Sequence, residues 1–196
     1  MANEYVSVTD FKDEYSITDG LDDKAIARVV ESVSRWVDAY CGRQFFPVTQ
    51  TRYFTPKSCY LVEVQELVTV TTLKTDDNGD RVYETTWAST DYDLEPYNAA
   101  LMSPAEPFQR VTVNALNGRY VFLPSIPRSV EIAGSWGMAA VPPTIKEATL
   151  KQAYRIFKRK DAPFAVLGGG NLGELSEIPS IDPDIKLMLM PFLSRW

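Results

Sequence analysis

Three features of this 196-residue chain have residue types and spacing that could do chemistry: a glycine cluster, several acidic groupings and one basic helical stripe. Gly168-Gly169-Gly170-Asn171-Leu172-Gly173 has the composition of a phosphate-binding loop. Such a loop lies between a strand and a helix N-terminus, where free N–H groups meet the anion, and its P-loop form adds a lysine. Here the glycines follow a helix and a proline, and no Gly-Lys-Ser/Thr is present, so they read as a connecting loop. Asp76, Asn78 and Asp80 have the i, i+2, i+4 opening of a calcium loop. Arg81 stands where that loop needs glycine, and Trp87 falls at the twelfth position, where a bidentate glutamate belongs. Asn78-Gly79 between β-prone flanks instead predicts a hairpin turn.

Nucleophilic catalysis has serines and two cysteines to draw on, but the chain has no histidine to activate them. Lysine or carboxylate can substitute, yet no spacing singles out a pair. Asp22-Asp23 and Asp91/Asp93 are explained by capping and turns. Paired-carboxylate glycoside chemistry has nothing specific in its favour. Trp36 and Tyr40, members of a large aromatic set that could include a sugar platform, lie on an apolar helical stripe and are expected in the core. Lys151, Arg155, Lys158 and Arg159 fall on one stripe, which reads as a solvated face or a contact for an acidic partner.

The elements that must position these groups follow from periodicity. Residues 9–15 predict a short helix capped by Thr9 or Asp10. A long helix follows, with Asp22 as N-cap and Leu21 stapled to Ile26. Ala25, Ile26, Val29, Val30, Val33, Trp36, Val37 and Tyr40 form its apolar stripe, and Gly42 ends it. Residues 45–133 have strand texture: 51–55, 60–64, 67–74, a return strand 81–87, then 92–95, 110–115, 120–123 and 130–133. Pro143 suits the first position of the basic helix. Its apolar residues Ile145, Thr149, Leu150, Ala153, Tyr154, Ile156 and Phe157 span about half the circumference, which predicts cover on two sides. Asp161-Ala162-Pro163 stops it. A last helix over 184–192, opened by Asp182-Pro183, places Ile185, Leu189 and Phe192 on one side. The fold class expected is α+β. N- and C-terminal helices (1–44 and 134–196) pack together, and 45–133 forms a β-hairpin-rich insertion.

Composition bounds the function. Hydrophobic residues make up 45% and charged residues 23%, as in an ordinary globular protein. No apolar run reaches the roughly 18 residues of a membrane span, and the acidic opening MANEYVSVTDFKDEY is not expected to act as a signal peptide. Cys41 and Cys59 are expected as free thiols of a protein made in a reducing cytoplasm. The net charge is −6, but residues 144–160 hold six positive and one negative side chain, leaving the remainder at about −11. So acidic a surface argues against tight, sequence-specific nucleic-acid binding.

The order and texture of these segments resemble a family, the head–tail connector (adaptor, head-completion) proteins of tailed bacteriophages. Three stretches carry the likeness. They are VSVTDFKDEYSI with LDDKAIARVVESVSRWVDAYCGRQF; VTVTTLKTDDNGDRVYETTW with DYDLEP; and VEIAGSWGMAAVPPTIKEATLKQAYRIFKRKDAPF with the glycine loop and IDPDIKLMLMPF. The resemblance implies a structural, non-enzymatic protein without cofactor or metal. It implies a ring, commonly a dodecamer, beneath the portal, which extends the DNA channel and joins head to tail. The implied partners are other copies of the chain, the portal protein, a downstream neck or tail protein and DNA in non-specific transit, with no membrane. The implied location is the virion neck, after synthesis in the bacterial cytoplasm. The contact residues expected are Ile145, Lys151, Tyr154, Arg155, Phe157, Lys158, Arg159, Gly168, Gly169, Gly170, Ile185, Leu189, Phe192 and Trp196, with 182–196 docking on the portal. The readings set against this one are another neck or tail-completion protein, a carboxylate-dependent hydrolase and a carbohydrate-binding module.

Overall fold

A computed structural model describes residues 3–102, 105–159 and 181–194. Two compact units form, one from residues 1–43 and 141–196 and the other from residues 44–140. Helices make up the first unit and a six-stranded antiparallel sheet dominates the second, an α+β protein.

The helical unit begins with α1 (Val8–Glu14). Its cap is Ser7, two or three residues earlier than the Thr9 or Asp10 expected. The Ser7 hydroxyl accepts from the Asp10 N–H, and the Asp10 carboxylate accepts from the Ser7 N–H, a reciprocal capping box. The Ser7 side chain and backbone N–H at the carboxylate hold the Asp10 carboxyl below its ordinary range. α2 (Asp23–Cys41) buries Ile26, Val30, Val33, Val37 and Cys41 along one stripe and ends at Gly42, whose φ of 66° is left-handed. The expected staple does not form, because Leu21 is 92% exposed. Asp22 makes no side-chain cap bond, and Asp23 is held instead by Lys12 at 2.8 Å. Trp36 and Tyr40, expected in the core, stack on each other half-exposed at the stripe's flank.

α3 (Pro143–Lys158) starts with proline at its first turn, and α4 (Pro183–Leu189) is capped by Asp182, which accepts from the Asp184 N–H. A 3-10 turn (Met190–Phe192) completes the last helix. Beyond it the Ser194 N–H donates to the Cys41 carbonyl at 2.7 Å, tying the C-terminal segment to the end of α2. The expected stop at 161–163 lies outside the described residues.

In the β unit, β1 (Val48–Phe54), β2 (Leu61–Thr75), β3 (Thr85–Trp87), β4 (Tyr92–Glu95), β5 (Phe108–Val113) and β6 (Val130–Trp136) form the order β1-β6-β2-β5-β4, with β3 also on β2. β2 is one strand where two were expected. Glu66 takes φ 56° and the register shifts between Glu63 and Leu67, so the strand bends without breaking. One edge of β2 pairs with β6, and the other is shared by β5 and β3. Alternation along β6 buries Val130, Ile132 and Trp136 against Val62, Val64, Leu67, Leu73, Trp87, Val111 and Phe122. Gly134 occupies the same face because a Cβ there would lie 2.0 Å from the Thr69 carbonyl oxygen. No strand forms at 120–123; there Phe122 stacks on Trp87 at 4.6 Å and its N–H donates to the Cys59 carbonyl.

The hairpin turn expected at Asn78-Gly79, with its return strand starting at residue 81, is a nine-residue loop, 76–84, between β2 and a β3 that starts only at Thr85. The Asp76 carboxylate sets its course by accepting from the N–H groups of Asn78, Gly79 and Arg81. Burial works to raise the Asp76 pKa, but these three donors and the Arg81 charge outweigh it and hold the carboxyl below its ordinary range.

Candidate interaction surfaces

In the helical unit, Phe11 of α1 meets Phe157 of α3 edge-on at 5.7 Å, and Tyr15 stacks on Tyr154 at 3.8 Å. Burial, with smaller contributions from the Glu14 and Glu147 carboxylates, pushes the Tyr15 phenol up to about 12. The buried face of α3 is Ile145, Ala148, Thr149, Gln152, Ala153 and Phe157, narrower than the face predicted. Ile156 is exposed, and Leu150 and Tyr154 are half-buried. Thr149 fits a buried position because its hydroxyl donates to the Ile145 carbonyl at 2.8 Å.

Five expected contact residues, Ile145, Phe157, Ile185, Leu189 and Phe192, are therefore core residues of their own unit. Within one chain their side chains are spent on packing against neighbouring elements. Lys151, Lys158 and Arg159 are exposed. Lys151 pairs with Glu147 at 3.1 Å, Arg155 reaches Asp182 at 3.7 Å, and the Lys158 ammonium lies 5.5 Å from the centre of the Tyr154 ring. Lys151, Tyr154, Arg155 and Lys158 line an open groove of about 430 Å³ with Asp182, Asp184 and Ile185. The two acidic residues offset much of the basic stripe. Gly168, Gly169, Gly170 and Trp196 lie outside the described residues.

The outer side of the last helix carries exposed apolar residues that were not among the expected contacts. Leu187 (63% exposed), Met190 (58%) and Leu193 (37%) repeat every third position opposite the buried Ile185, Leu189 and Phe192. An element apolar on both sides is ordinarily covered on both. The signal was present in IDPDIKLMLMPFL, where apolar residues exceed what one helical face needs.

The β unit carries a second surface. Tyr53 of β1 lies 5.4 Å from Tyr83, Arg128 sits over the Tyr53 ring at 5.0 Å, and the Tyr83 hydroxyl donates to the Arg128 carbonyl at 2.9 Å. Arg81 donates to the Pro127 carbonyl. Clustered Tyr and Arg are the residue types enriched at protein interfaces. No sequence spacing joins 53, 81, 83 and 128; the β1–β6 ladder and the loop at 76–84 bring them together.

One member of each acidic pair has a local role. Asp23 holds Lys12, and Asp91 is buried with its carboxylate accepting from the Ala88 N–H at 2.8 Å. Among the described residues, no three His, Cys, Asp or Glu side chains converge to hold a metal, and no helix is long and apolar enough to cross a membrane. Cys41 is buried and Cys59 exposed, both as free thiols.

No protein-family model matches the chain, and no curated protein sequence does. Solved structures do match. A chain in the neck of an empty gene transfer agent (GTA) particle, computed with C6 symmetry, has a TM-score of 0.56 at 15% identity, covering 99% of this chain and 95% of that one. A chain in the neck of the native GTA particle, computed with C12 symmetry, gives 0.54 at 16% identity, with the same coverage of 99% and 95%. A chain from the virion of the native particle gives 0.50 at 15%, covering 97% and 90%. Similarity at this identity establishes a shared fold along nearly the whole chain.

Proposed function

We propose that this chain is a structural neck protein of a phage-like particle, non-enzymatic, which forms a ring under the portal, extends the DNA channel and joins head to tail. The observation that carries the reading is the fold likeness over 99% of the chain to neck chains of particles solved with C6 and C12 symmetry. A sheet-and-helix likeness limited to one unit would carry far less. Copies of the chain contact one another around the ring, and closed cyclic assembly uses heterologous contacts. The portal contact falls to the exposed Leu187, Met190 and Leu193 of the C-terminal segment. The excess of acidic residues, 26 against 20 basic, suits a channel through which DNA passes without adhering. The protein is made in the bacterial cytoplasm and resides in the virion neck.

The test is electron microscopy of particles from cells lacking this protein. Separate heads and finished tails, with heads losing DNA, are expected; normally joined particles would overturn the reading. Binding to purified portal rather than to tails separates this role from that of a tail-completion protein.

A further inference from the structure

Both ends of the sheet are open among the described residues. β1 pairs only with β6 and β4 only with β5, so each presents one unpaired edge. Natural sheets guard such edges with proline, lysine, bulges or short strands. β1 has none of these. Val48–Phe54 contains no proline or lysine, and its seven-residue register with β6 is unbroken. Its one charged residue, Arg52, does not stand guard. The guanidinium lies 4.4 Å from the centre of the Trp136 ring and donates to the Gln65 carbonyl, folded back over the sheet. Thr49, Gln50 and Thr51 are exposed.

The two edges differ in charge. Around β1 stand Arg81 and Arg128, both exposed, beside Tyr53 and Tyr83, with Glu131 of β6 opposite Tyr53 as one acid against these two cations. β4 carries Asp93 and Glu95 and no basic residue; Glu95 is offset by Arg110 of the adjacent β5 at 3.8 Å, which leaves Asp93 as the acidic group of this edge. Five strands alternate along the path from β1 to β4, so the two edge strands point the same way. A cyclic operation that continues the sheet then brings β4 of one copy beside β1 of the next as a parallel pair, a heterologous contact that closes into a ring.

Resting on the ring reading above, we propose that the copies join edge to edge: the acidic β4 edge of each subunit adds to the unguarded β1 edge of its neighbour, flanked by Arg81 and Arg128. The occupant of the β1 edge is thus a second copy of this chain. Main-chain bonding supplies the contact, and the opposite charges select which edges meet.

The test replaces the protein in particle-producing cells with an Arg81→Glu/Arg128→Glu chain, with an Asp93→Lys chain, or with both together, and counts joined particles. Each variant alone faces like charge with like and is expected to lower the joined fraction about tenfold. Co-expression is expected to restore it, because in an alternating ring every contact again pairs opposite charges. Thr51→Lys, an added edge guard on an exposed position, is expected to fail alone and with either partner. Circular dichroism of each purified variant controls for folding. Normal joining by a single charge variant or by Thr51→Lys overturns the edge contact, as does a co-expressed pair no better than its members. If instead the wild-type chain proves absent from the neck, the ring reading itself falls and takes this contact with it.

Discussion

The helical unit and the β unit solve the same problem in different ways. Packing between periodic faces holds the helical unit: Ile26, Val30, Val33 and Val37 of α2 and Ile145, Ala148, Thr149 and Phe157 of α3 recur at helical spacing and are buried. In the β unit, backbone geometry decides as much as apolar pattern. Glu66 bends β2 with a positive φ, Gly134 clears a carbonyl, and Asp76 ties a loop through three N–H groups. Helical order is thus encoded by repetition and tolerates a flank residue such as Ile156 left outside. Sheet order depends on single residues whose loss has no substitute nearby.

The largest effect is expected from Trp136→Ala. Trp136 is fully buried, packs on Phe54 and donates its indole N–H to the Gln50 carbonyl at 2.8 Å. A loss of about 3–5 kcal/mol is expected in urea unfolding. Hydrogen exchange should quicken across 44–140 first. Equal quickening throughout α2 and α3 would show that the two regions do not differ as described.

Phe157→Ala is the counterpart in the helical unit. Phe157 sits at the last turn of α3 against Phe11, so about 3 kcal/mol is expected, with exchange rising first in α1 and α3. Phe157→Asp should fail to fold, rather than yield a folded chain unable to assemble. Soluble, cooperatively melting Phe157→Asp protein that fails to assemble would make Phe157 a contact residue instead.

Smaller effects sharpen the contrast. Ser7→Ala removes the capping box and is expected to cost about 1 kcal/mol, read as a lower urea midpoint with unchanged slope. Lys151→Ala, which removes an exposed i, i+4 ion pair, should change stability by no more than about 0.5 kcal/mol. The most local effect is acid titration of the 76–84 loop. Because the folded pKa of Asp76 lies below 3.8, its contribution is complete above the ordinary carboxylate range and is lost as pH falls through the depressed value. NMR shifts of the Asn78, Gly79 and Arg81 amides should follow one transition with its midpoint below 3.8. A midpoint at or above that value would mean the carboxylate does not organise the loop.

Local spacing encodes the helices, the β texture between them and Gly42 as a left-handed stop, because these rest on residues within a few positions of one another. It also marked Asp182-Pro183 as a helix start and Pro143 as a first-turn residue for the same local reason. Packing between distant elements set which apolar residues became core and which stayed outside. Ile145, Phe157, Ile185, Leu189 and Phe192 were claimed by neighbouring elements, while Leu187, Met190 and Leu193 were left exposed. Tertiary structure also joined 60–64 to 67–74 through a bend and widened an Asn-Gly signal into a loop, since Asp76 binds N–H groups whose positions depend on where β2 and β3 end. It alone gathered Tyr53, Arg81, Tyr83 and Arg128 into one patch. Periodicity reports on the face of a single element; strand order and free edges arise from pairings between residues tens of positions apart, and no local spacing encodes them.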